Sequence, residues 1–219
     1  LDGPGGWAAY AGGTALIDRL ADPALAFTPA SPGPRAVWTA GPGDEPAEAI
    51  ARLVLAALAG GRGVLVVAPD AREVARLDAA LTTVLGRGHH VVLTADLGPS
   101  TRYRAFLAVR RGHRRVVVGT RAAVFAPVAD LGLVVLWDDG DDSLAEPHAP
   151  YWHAREVLAL RSTLGGTALV VGAPSRSVEA AQLVATGWAR EVAMPRATCD
   201  AVLLARGQAR CAGAPPSPM

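Results

Sequence analysis

Residues 133–140 read LVVLWDDG, an uninterrupted apolar run that ends in two aspartates. A strand with one face in water alternates between apolar and polar residues, whereas a strand covered on both faces is apolar at nearly every position. Strands of the second kind belong to parallel sheets, because the crossover helices of such sheets lie on both faces. The stretch therefore predicts a buried strand of a parallel α/β sheet.

The rest of the chain repeats this pattern. Six apolar runs are predicted to be strands, at 36–40, 64–68, 90–94, 115–119, 133–137 and 168–172. Stretches of helical period separate them, and helices are predicted over 46–59, 71–85, 99–111, 152–162 and 176–186. This alternation predicts one parallel sheet that is covered by helices on both faces.

Length and local composition predict one main domain in the 219 residues. Residues 1–35 are rich in Gly, Pro and Ala around the short apolar pattern GTALIDRL, and we interpret them as the end of a preceding region and a linker. Residues 36–195 form the predicted domain. Residues 196–219 are rich in Ala, Arg and Pro without a clear period, so we expect this tail to be disordered.

Composition excludes several classes of function. The formal net charge is +1, so attraction to nucleic acid must come from a local patch. With neither an apolar run of 18 residues nor a signal peptide, we expect a cytoplasmic protein without a membrane partner. Two cysteines without a CxxC pair and five histidines without ligand spacing predict no metal site. The chain contains no lysine, which excludes a P-loop lysine and Schiff-base chemistry.

The loop after the first predicted strand reads AGPGDEPAEA, residues 40–49. Ligands of open parallel sheets bind beyond the carboxyl ends of the strands, so this loop is where phosphates would be expected. Gly41 and Gly43 match the glycines of a phosphate-binding loop, but neither a lysine nor a hydroxyl residue follows them. Asp44 and Glu45 place negative charge where a triphosphate would arrive. We therefore favour a tight turn into a helix.

An acidic cluster follows the strand at 133–137. Its members are Asp138, Asp139, Asp141, Asp142 and Glu146, five acids within nine positions. Carboxylates at the end of a buried strand hold magnesium in nucleotide-hydrolysing proteins. A solvated acidic turn has the same composition, and without a phosphate loop we favour the turn.

The third feature is a basic segment. Between Asp96 and Asp130 the chain has no acidic residue and seven of its 21 arginines: Arg102, Arg104, Arg110, Arg111, Arg114, Arg115 and Arg121. A patch of this kind suits contact with a phosphate backbone, which gives affinity without reading sequence. Solvated arginines on a helix face, with a pair to the acidic cluster, are the alternative. Charge alone does not choose between them.

Several stretches together resemble the first motor lobe of the replication-restart PriA family, also called primosomal protein N′. They are VLVVAPDAREVARL (64–77), TADLGPSTRYRAFLAVRRG (94–112), VVVGTRAAVFAPVADLGLVVLWDD (116–139), AEPHAPYWHAREVLALR (145–161) and GAPSRSVEAAQLV (172–184). The resemblance covers roughly 36–190, and GWAAYAGGTALIDRL (6–20) is similar to the lead-in from the preceding winged-helix region.

This resemblance implies a RecA-like fold, the first lobe of a superfamily-two helicase core. It also implies the family's cofactors and partners. The cofactors are ATP and magnesium, with zinc bound by a later region that these residues do not include. The partners are forked DNA or junctions of single and double strands, and the proteins that assemble the primosome and load the replicative helicase. Family members are 3′ to 5′ helicases that act at the nucleoid.

Three ATP-linked motifs depart from the family pattern. The first loop, with Gly41 and Gly43, lacks the lysine and the hydroxyl residue. Where the family has Asp-Glu-Glu-His, this chain has Trp137 at the magnesium-associated aspartate and Asp138 at the catalytic glutamate. The family's Ser-Ala-Thr motif is replaced by residues 173–175, Ala-Pro-Ser. We therefore expect no bound cofactor, and regard Asp138, Asp139 and Asp141 as remnants of the acidic motif.

The DNA-side motif GTR, residues 119–121, is retained. The candidate DNA-binding residues are Arg121, Thr120, Arg115, Arg114 and Arg102. Our leading hypothesis is a non-catalytic motor lobe that binds branched DNA during replication restart, with ATPase and helicase activity lost. One alternative is an active ATP-dependent helicase with Asp138 and Asp139 on magnesium. The other is an α/β interaction scaffold without a role on DNA.

Overall fold

The computed structural model describes residues 6–95 and 97–205. Within these ranges a parallel sheet is built from seven strands: β1 (Arg35–Thr39), β2 (Gly63–Val67), β3 (His90–Leu93), β4 (Val116–Gly119), β5 (Leu131–Trp137), β6 (Ala168–Ala173) and β7 (Arg190–Ala193). The strand order is β3-β4-β2-β5-β6-β1-β7, and all neighbours pair in parallel. This is the predicted RecA-like arrangement.

In the described part of the chain, seven α-helices accompany the sheet: α1 (Gly13–Ala21), α2 (Pro46–Ala59), α3 (Ala71–Leu85), α4 (Pro99–Arg110), α5 (Ala154–Gly165), α6 (Val178–Ala185) and α7 (Arg196–Ala205). Short 3-10 helices span Trp7–Ala9, Arg121–Phe125 and Asp142–Leu144. The first layer of the core packs α1, α2 and α3 against one face of the sheet, and the second packs α4, α5 and α6 against the other. Helices therefore cover both faces, as predicted.

Strand β5 lies at the centre of the sheet, between β2 and β6. All of its residues from Gly132 to Trp137 are buried. Alternate residues serve the two layers: Val135 and Trp137 belong to the first, and Val134 and Leu136 to the second. The continuous apolar run is explained by this burial on both sides.

The six predicted strands are confirmed, with boundaries shifted by up to two residues. Strand β7 was not predicted. It lies at the edge of the sheet beyond β1, and in its sequence REVA only Val192 is buried. An edge strand of four residues with one buried side chain does not produce an apolar run.

The segment before β1 packs into the same core. Trp7, Tyr10, Leu16 and Leu20 are all buried in the first layer, against α2. Sequence composition placed residues 1–35 in a preceding region and linker, because glycine and proline surround these apolar positions. Their spacing of three to six residues was the available signal for a packed helical segment.

Arg62 fixes the end of α1 to the start of β2. Its guanidinium donates to the carbonyl oxygens of Leu20 (2.8 Å), Asp22 (2.9 Å) and Leu25 and lies 4.0 Å from the centroid of the Phe27 ring. The side chain is buried, so these carbonyls supply the partners that water no longer provides.

The expectation of disorder after residue 196 is wrong for its first ten residues. Residues 196–205 form α7, and Cys199 and Val202 pack against the first core layer. The apolar positions of the sequence ATCDAVLL give this short helix a face to bury. Residues 206–219 lie outside the described residues. None of the helices in the described ranges is long and apolar enough to cross a membrane.

A substitution at Gly172 in β6 would show how tightly the first core layer is packed beside β5. A Cβ atom there would lie 2.6 Å from Cε3 of Trp38 and 3.3 Å from Cε3 of Trp137. We predict that Gly172→Ala lowers the free energy of unfolding by about 1–3 kcal/mol, because neither buried indole can move freely. Denaturant titration measures the change. Gly140→Ala is the matched control, since its Cβ would meet only Ser177 Cβ at 3.9 Å; equal losses in both variants would contradict the prediction.

Candidate functional site

The loops that follow β1, β5 and β6 meet where the parallel strands have their carboxyl ends, and we call this end of the sheet the carboxyl edge. Ala40 N donates to the carbonyl oxygen of Ala173 (3.0 Å), and Asp138 N donates to that of Gly172 (2.7 Å). The first loop, the acidic cluster and the segment 173–175 are therefore neighbours. This is the place where a parallel sheet binds a nucleotide.

The backbone of the first loop already has oxygen acceptors. Gly41 N–H is shared by the hydroxyl of Tyr10 (2.7 Å) and the Oδ2 atom of Asp44 (2.9 Å). Asp44 N in turn donates to the carbonyl of Gly41 (3.2 Å). A phosphate-binding loop needs such amides free to face the phosphate oxygens. Here a phenol and a carboxylate of the chain take that position.

A methionine closes the loop from the side of β7. A Cβ atom at Gly41 would lie 2.7 Å from Cε of Met194, and Met194 itself is buried. In this rotamer the methyl group of Met194 occupies the space that a Cβ atom at Gly41 would need. The Met194 side chain also covers the first loop at the point where the loop leaves β1.

Four aromatic side chains pack against one another behind the first loop, and we call them the aromatic plug: Trp7, Tyr10, Trp38 and Trp137. Their ring centroids are 4.9 to 6.1 Å apart from neighbour to neighbour, and each residue is at most 5% exposed. Trp7 Nε1 donates to the carbonyl of Ala49 (2.9 Å), which ties the plug to α2. The plug is one packed cluster with offset and edge contacts.

Asp138 directly follows the last residue of β5. Its φ is 57°, a left-handed conformation that side chains other than those of Asn and Asp rarely adopt. Burial, followed by the nearby carboxylates of Asp141 and Glu73, raises its pKa. No cation compensates this carboxylate among the described residues.

Asp139 is committed to an internal network. It is 2% exposed, and its Oδ2 accepts from Arg155 Nη1 (3.0 Å) and from the hydroxyl of Ser177 (2.6 Å). The Ser177 hydroxyl also accepts from Ala180 N (3.0 Å) and so caps α6. One carboxylate thus joins β5, α5 and α6. A buried, paired carboxylate of this kind costs several kcal/mol to expose or unpair.

Asp141 serves the backbone of the following turn. Its Oδ1 accepts from the amide (2.8 Å) and the hydroxyl (2.6 Å) of Ser143, and the hydroxyl bond followed by the amide bond lowers its pKa. The three remnant acids therefore have three separate surroundings. Within residues 6–95 and 97–205, no group of three His, Cys, Asp or Glu side chains is placed to share a metal ion.

Arg121 holds the acidic cluster in place. Its Nη1 donates to the carbonyls of Ser143 and Ala145, both at 2.7 Å, and its Nη2 lies 3.0 Å from the carboxylate of Glu146. This is the pairing with the acidic cluster that the sequence left as an alternative to a DNA contact. The guanidinium has few donors left for a phosphate.

The five candidate DNA-binding residues do not form one patch. Arg114 and Arg115 precede β4, whereas Thr120 and Arg121 follow it, so the two pairs lie at opposite ends of this strand, and residues 115 and 120 are about 17 Å apart. Arg115 is bound to Asp130 (2.5 Å) and to the carbonyl of Gly61 (3.1 Å). Arg102 is exposed on α4. Their roles on DNA stay predictions.

Sequence reasoning missed the residues that close the site. Tyr10 and Met194 reach the first loop from segments outside the alternating pattern, and Arg155 reaches Asp139 from the next helix. For Arg155 there was a signal, because it lies in the YWHAR segment that carried the family resemblance. A contact between Tyr10 and a loop 31 residues later leaves no local trace in the sequence.

Comparison with known proteins identifies the family. No protein-family model matches the chain. The chain is 46% identical over 193 residues to the probable replication restart protein PriA of Mycobacterium tuberculosis, an alignment that covers 88% of this chain and 28% of that protein. This chain belongs to the PriA family. The corresponding PriA of Mycobacterium leprae is 43% identical over 198 residues, covering 90% of this chain and 29% of the relative.

A third PriA relative, from Treponema pallidum, is 33% identical over 69% of this chain and 23% of its own length. The chain thus spans less than a third of the curated PriA relatives it matches. Among solved structures, the yeast DEAD-box splicing factor Prp28 superposes with a TM-score of 0.54 over 74% of this chain and 42% of that chain. The identity is 10%, so this match supports the helicase-lobe fold alone.

We predict opposite changes in stability when the two adjacent aspartates of this PriA segment, Asp138 and Asp139, are replaced. The unfolded pKa of Asp138 is about 3.9, and its pKa in the fold is higher. The ionised form therefore opposes folding: the penalty is absent below the unfolded pKa, grows as pH rises through it, and is complete above the folded pKa. We predict that Asp138→Asn raises the melting temperature at pH 7 and has no effect below about pH 3.5.

Asp139→Asn is the matched variant, since it removes the same charge one residue later. It removes the buried anion of Arg155, whose other carboxylates, Glu156 at 3.4 Å and Glu179 at 4.0 Å, are mostly exposed, so we expect a loss of about 3–5 kcal/mol at neutral pH. Thermal melts of both variants from pH 3 to pH 8 are the measurement. Similar destabilisation by both substitutions would contradict this assignment of the two carboxylates.

Proposed function

We propose that this chain is a non-catalytic RecA-like lobe of a PriA-type replication restart protein, which helps to bind branched DNA at stalled forks and does not hydrolyse ATP. The observation that carries the proposal is the occupied amide of Gly41, with the aromatic plug behind it. The names of the curated relatives supply the process of replication restart.

The loss of ATP binding is supported by the cost of opening the loop. A phosphate group would have to displace the acceptors from Tyr10 and Asp44 and would meet the negative charges of Asp44 and Glu45. Each like-charge approach at 4 Å costs roughly 4 kcal/mol at a protein surface. Magnesium cannot offset this charge through Trp137, because an indole offers no ligand atom for that ion. We therefore expect neither ATP nor magnesium at this edge.

The enzymatic alternative loses one of its two proposed metal ligands. Asp139 would have to leave both Arg155 and Ser177 to reach an ion at the surface. Asp138 alone supplies a single carboxylate. Measurable DNA-stimulated ATP hydrolysis that disappears in Asp138→Asn would restore this alternative.

DNA binding is supported by the arginines that form no ion pair with any of the described residues. Arg115 and Arg121 are engaged, but Arg102 and its neighbours on α4 are exposed and lie in a stretch without acids. Free guanidinium groups release counterions from DNA and give affinity that falls with salt. The primosome proteins, the loading factors of the replicative helicase and a cytoplasmic, nucleoid-associated location follow as further parts of the proposal. Zinc is not expected at these residues.

Nucleotide binding is tested directly by titrating the 219-residue chain with Mg-ATP and following tryptophan fluorescence. Trp137 lines the cavity at the edge where ATP would enter, and its ring contacts that of Trp38, so binding there would change tryptophan emission. We predict no saturable change up to millimolar nucleotide, for the wild type and for Tyr10→Phe, since Asp44 still occupies the amide in that variant. Isothermal titration calorimetry is the independent check. A micromolar dissociation constant would overturn the loss of ATP binding.

The DNA role is tested with forked DNA at increasing salt. We predict that Arg102→Ala weakens binding and reduces the slope of log affinity against log salt by about 0.7–0.9. Arg121→Ala is expected mainly to lower the melting temperature, because it frees the loop at 143–146. Arg72→Ala removes an exposed arginine of α3 that lies beside Glu73 and serves as the control. Wild-type binding that does not depend on salt would favour the scaffold alternative.

A further inference from the structure

Helix α4 turns most of its surface away from the protein. Of its twelve residues only Val109 is fully buried. Tyr103 is 64% exposed and Phe106 is 38% exposed. Exposed aromatic rings beside one another are unusual on a soluble domain and point to something that covers them.

Four exposed side chains of α4 form one stripe, which we call the α4 stripe: Arg102, Tyr103, Phe106 and Arg110. Residues 102, 106 and 110 follow each other at a spacing of four, and 103 lies three residues before 106. On a helix these spacings place side chains next to one another. The two arginines are separated by about 12 Å along the axis, with the rings between them.

The stripe carries positive charge that the described part of the chain does not neutralise. Arg102, Arg104, Arg110 and Arg111 form no ion pair with another described residue, and residues 97–129 contain no acid. Helix α3 differs, because Arg72 and Arg76 both lie beside Glu73. The complement to the α4 stripe is therefore a polyanion that also has flat apolar surfaces.

We propose that the α4 stripe binds single-stranded DNA, with Tyr103 and Phe106 stacked on unpaired bases and Arg102 and Arg110 on flanking phosphates. Stacking on exposed aromatic rings is how sequence-tolerant proteins hold single strands, and a duplex cannot use it because its bases are already stacked. The inference rests on the proposed DNA role and specifies the form of DNA and the residues that meet it. It also accounts for the poor burial of α4.

The position of the α4 stripe indicates the path that single-stranded DNA would take across the protein. Helix α4 begins just after β3, and Thr120 N donates to the carbonyl of Leu93 at the end of β3 (3.2 Å). The retained GTR segment and the start of α4 therefore both lie on the side of the sheet where β3 and β4 end. From there the stripe runs to the opposite edge of the sheet, where Arg111 and Arg114 are exposed. A single strand along α4 would pass both groups of predicted DNA-binding residues.

The test is fluorescence anisotropy of the 219-residue chain with labelled oligo-dT of about twenty nucleotides and with a fully paired duplex of the same length. We expect Tyr103→Ala and Phe106→Ala each to weaken oligo-dT binding by about tenfold. Duplex binding should change less than twofold. Tyr103→Phe should retain wild-type affinity and Tyr103→Leu should not, because only the ring can stack. Arg110→Ala should reduce the salt slope on oligo-dT by about 0.7.

Two control variants match the changes in size and charge. Leu164→Ala removes an apolar side chain that is 69% exposed on α5, and Arg72→Ala removes an exposed arginine on α3. Both should bind oligo-dT like the wild type. Thermal melts establish that each variant is folded, as expected for changes at exposed positions.

The outcomes separate the inference from the proposed function. If the wild type binds DNA and both alanine variants bind oligo-dT equally well, the stripe is not the contact, while the DNA role stands. If Tyr103→Ala weakens the binding of duplex and of oligo-dT to the same extent, the proposal that Tyr103 stacks on unpaired bases is wrong. If the wild type binds neither form, the DNA role of this chain fails and the inference fails with it; a protein partner for the α4 stripe would then be the remaining explanation.

Discussion

The hydrogen bond from Gly41 N–H to the hydroxyl of Tyr10 determines the character of the carboxyl edge of the sheet. It attaches the segment before β1 to the first loop and brings Trp7 and Tyr10 over Trp38. Because the amide is satisfied inside the protein, the loop needs no ligand to be complete. The aromatic plug and the cover formed by Met194 then follow as ordinary core packing.

A second set of polar contacts has the same effect on the acidic side of this edge. Asp139 is paired with Arg155, and Arg121 binds the backbone of the turn that carries the other acids. Asp139 and Arg121, which match the family's acidic and DNA-side motifs, therefore make contacts that hold loops and helices together. His153 adds to this framework by accepting from Arg155 N (3.1 Å) at the start of α5, and burial followed by the charge of Arg155 lowers its pKa, which keeps the ring neutral for that role.

The fold could be predicted because six strands are apolar at almost every position, and burial on both faces requires that pattern. Strand β7 and helix α1 escaped prediction, since the edge strand buries little and the helix lies within a stretch rich in glycine and proline. At the site, the absence of lysine was enough to predict an altered phosphate loop. The contact of Gly41 with Tyr10 could not be predicted, because it joins residues 31 positions apart through tertiary packing. For Arg121 the sequence offered both DNA and the acidic cluster as partners, and charge alone did not choose between them.

The aromatic plug has a consequence for regulation inside a cell. Motor lobes of the RecA type ordinarily alternate between conformations as nucleotide binds and leaves, and their grip on DNA follows that cycle. If the carboxyl edge of this lobe binds no nucleotide, as proposed, the lobe has no such cycle. On the proposed function, its hold on a fork would be independent of the ratio of ATP to ADP, and would persist when replication stalls because the energy supply is low.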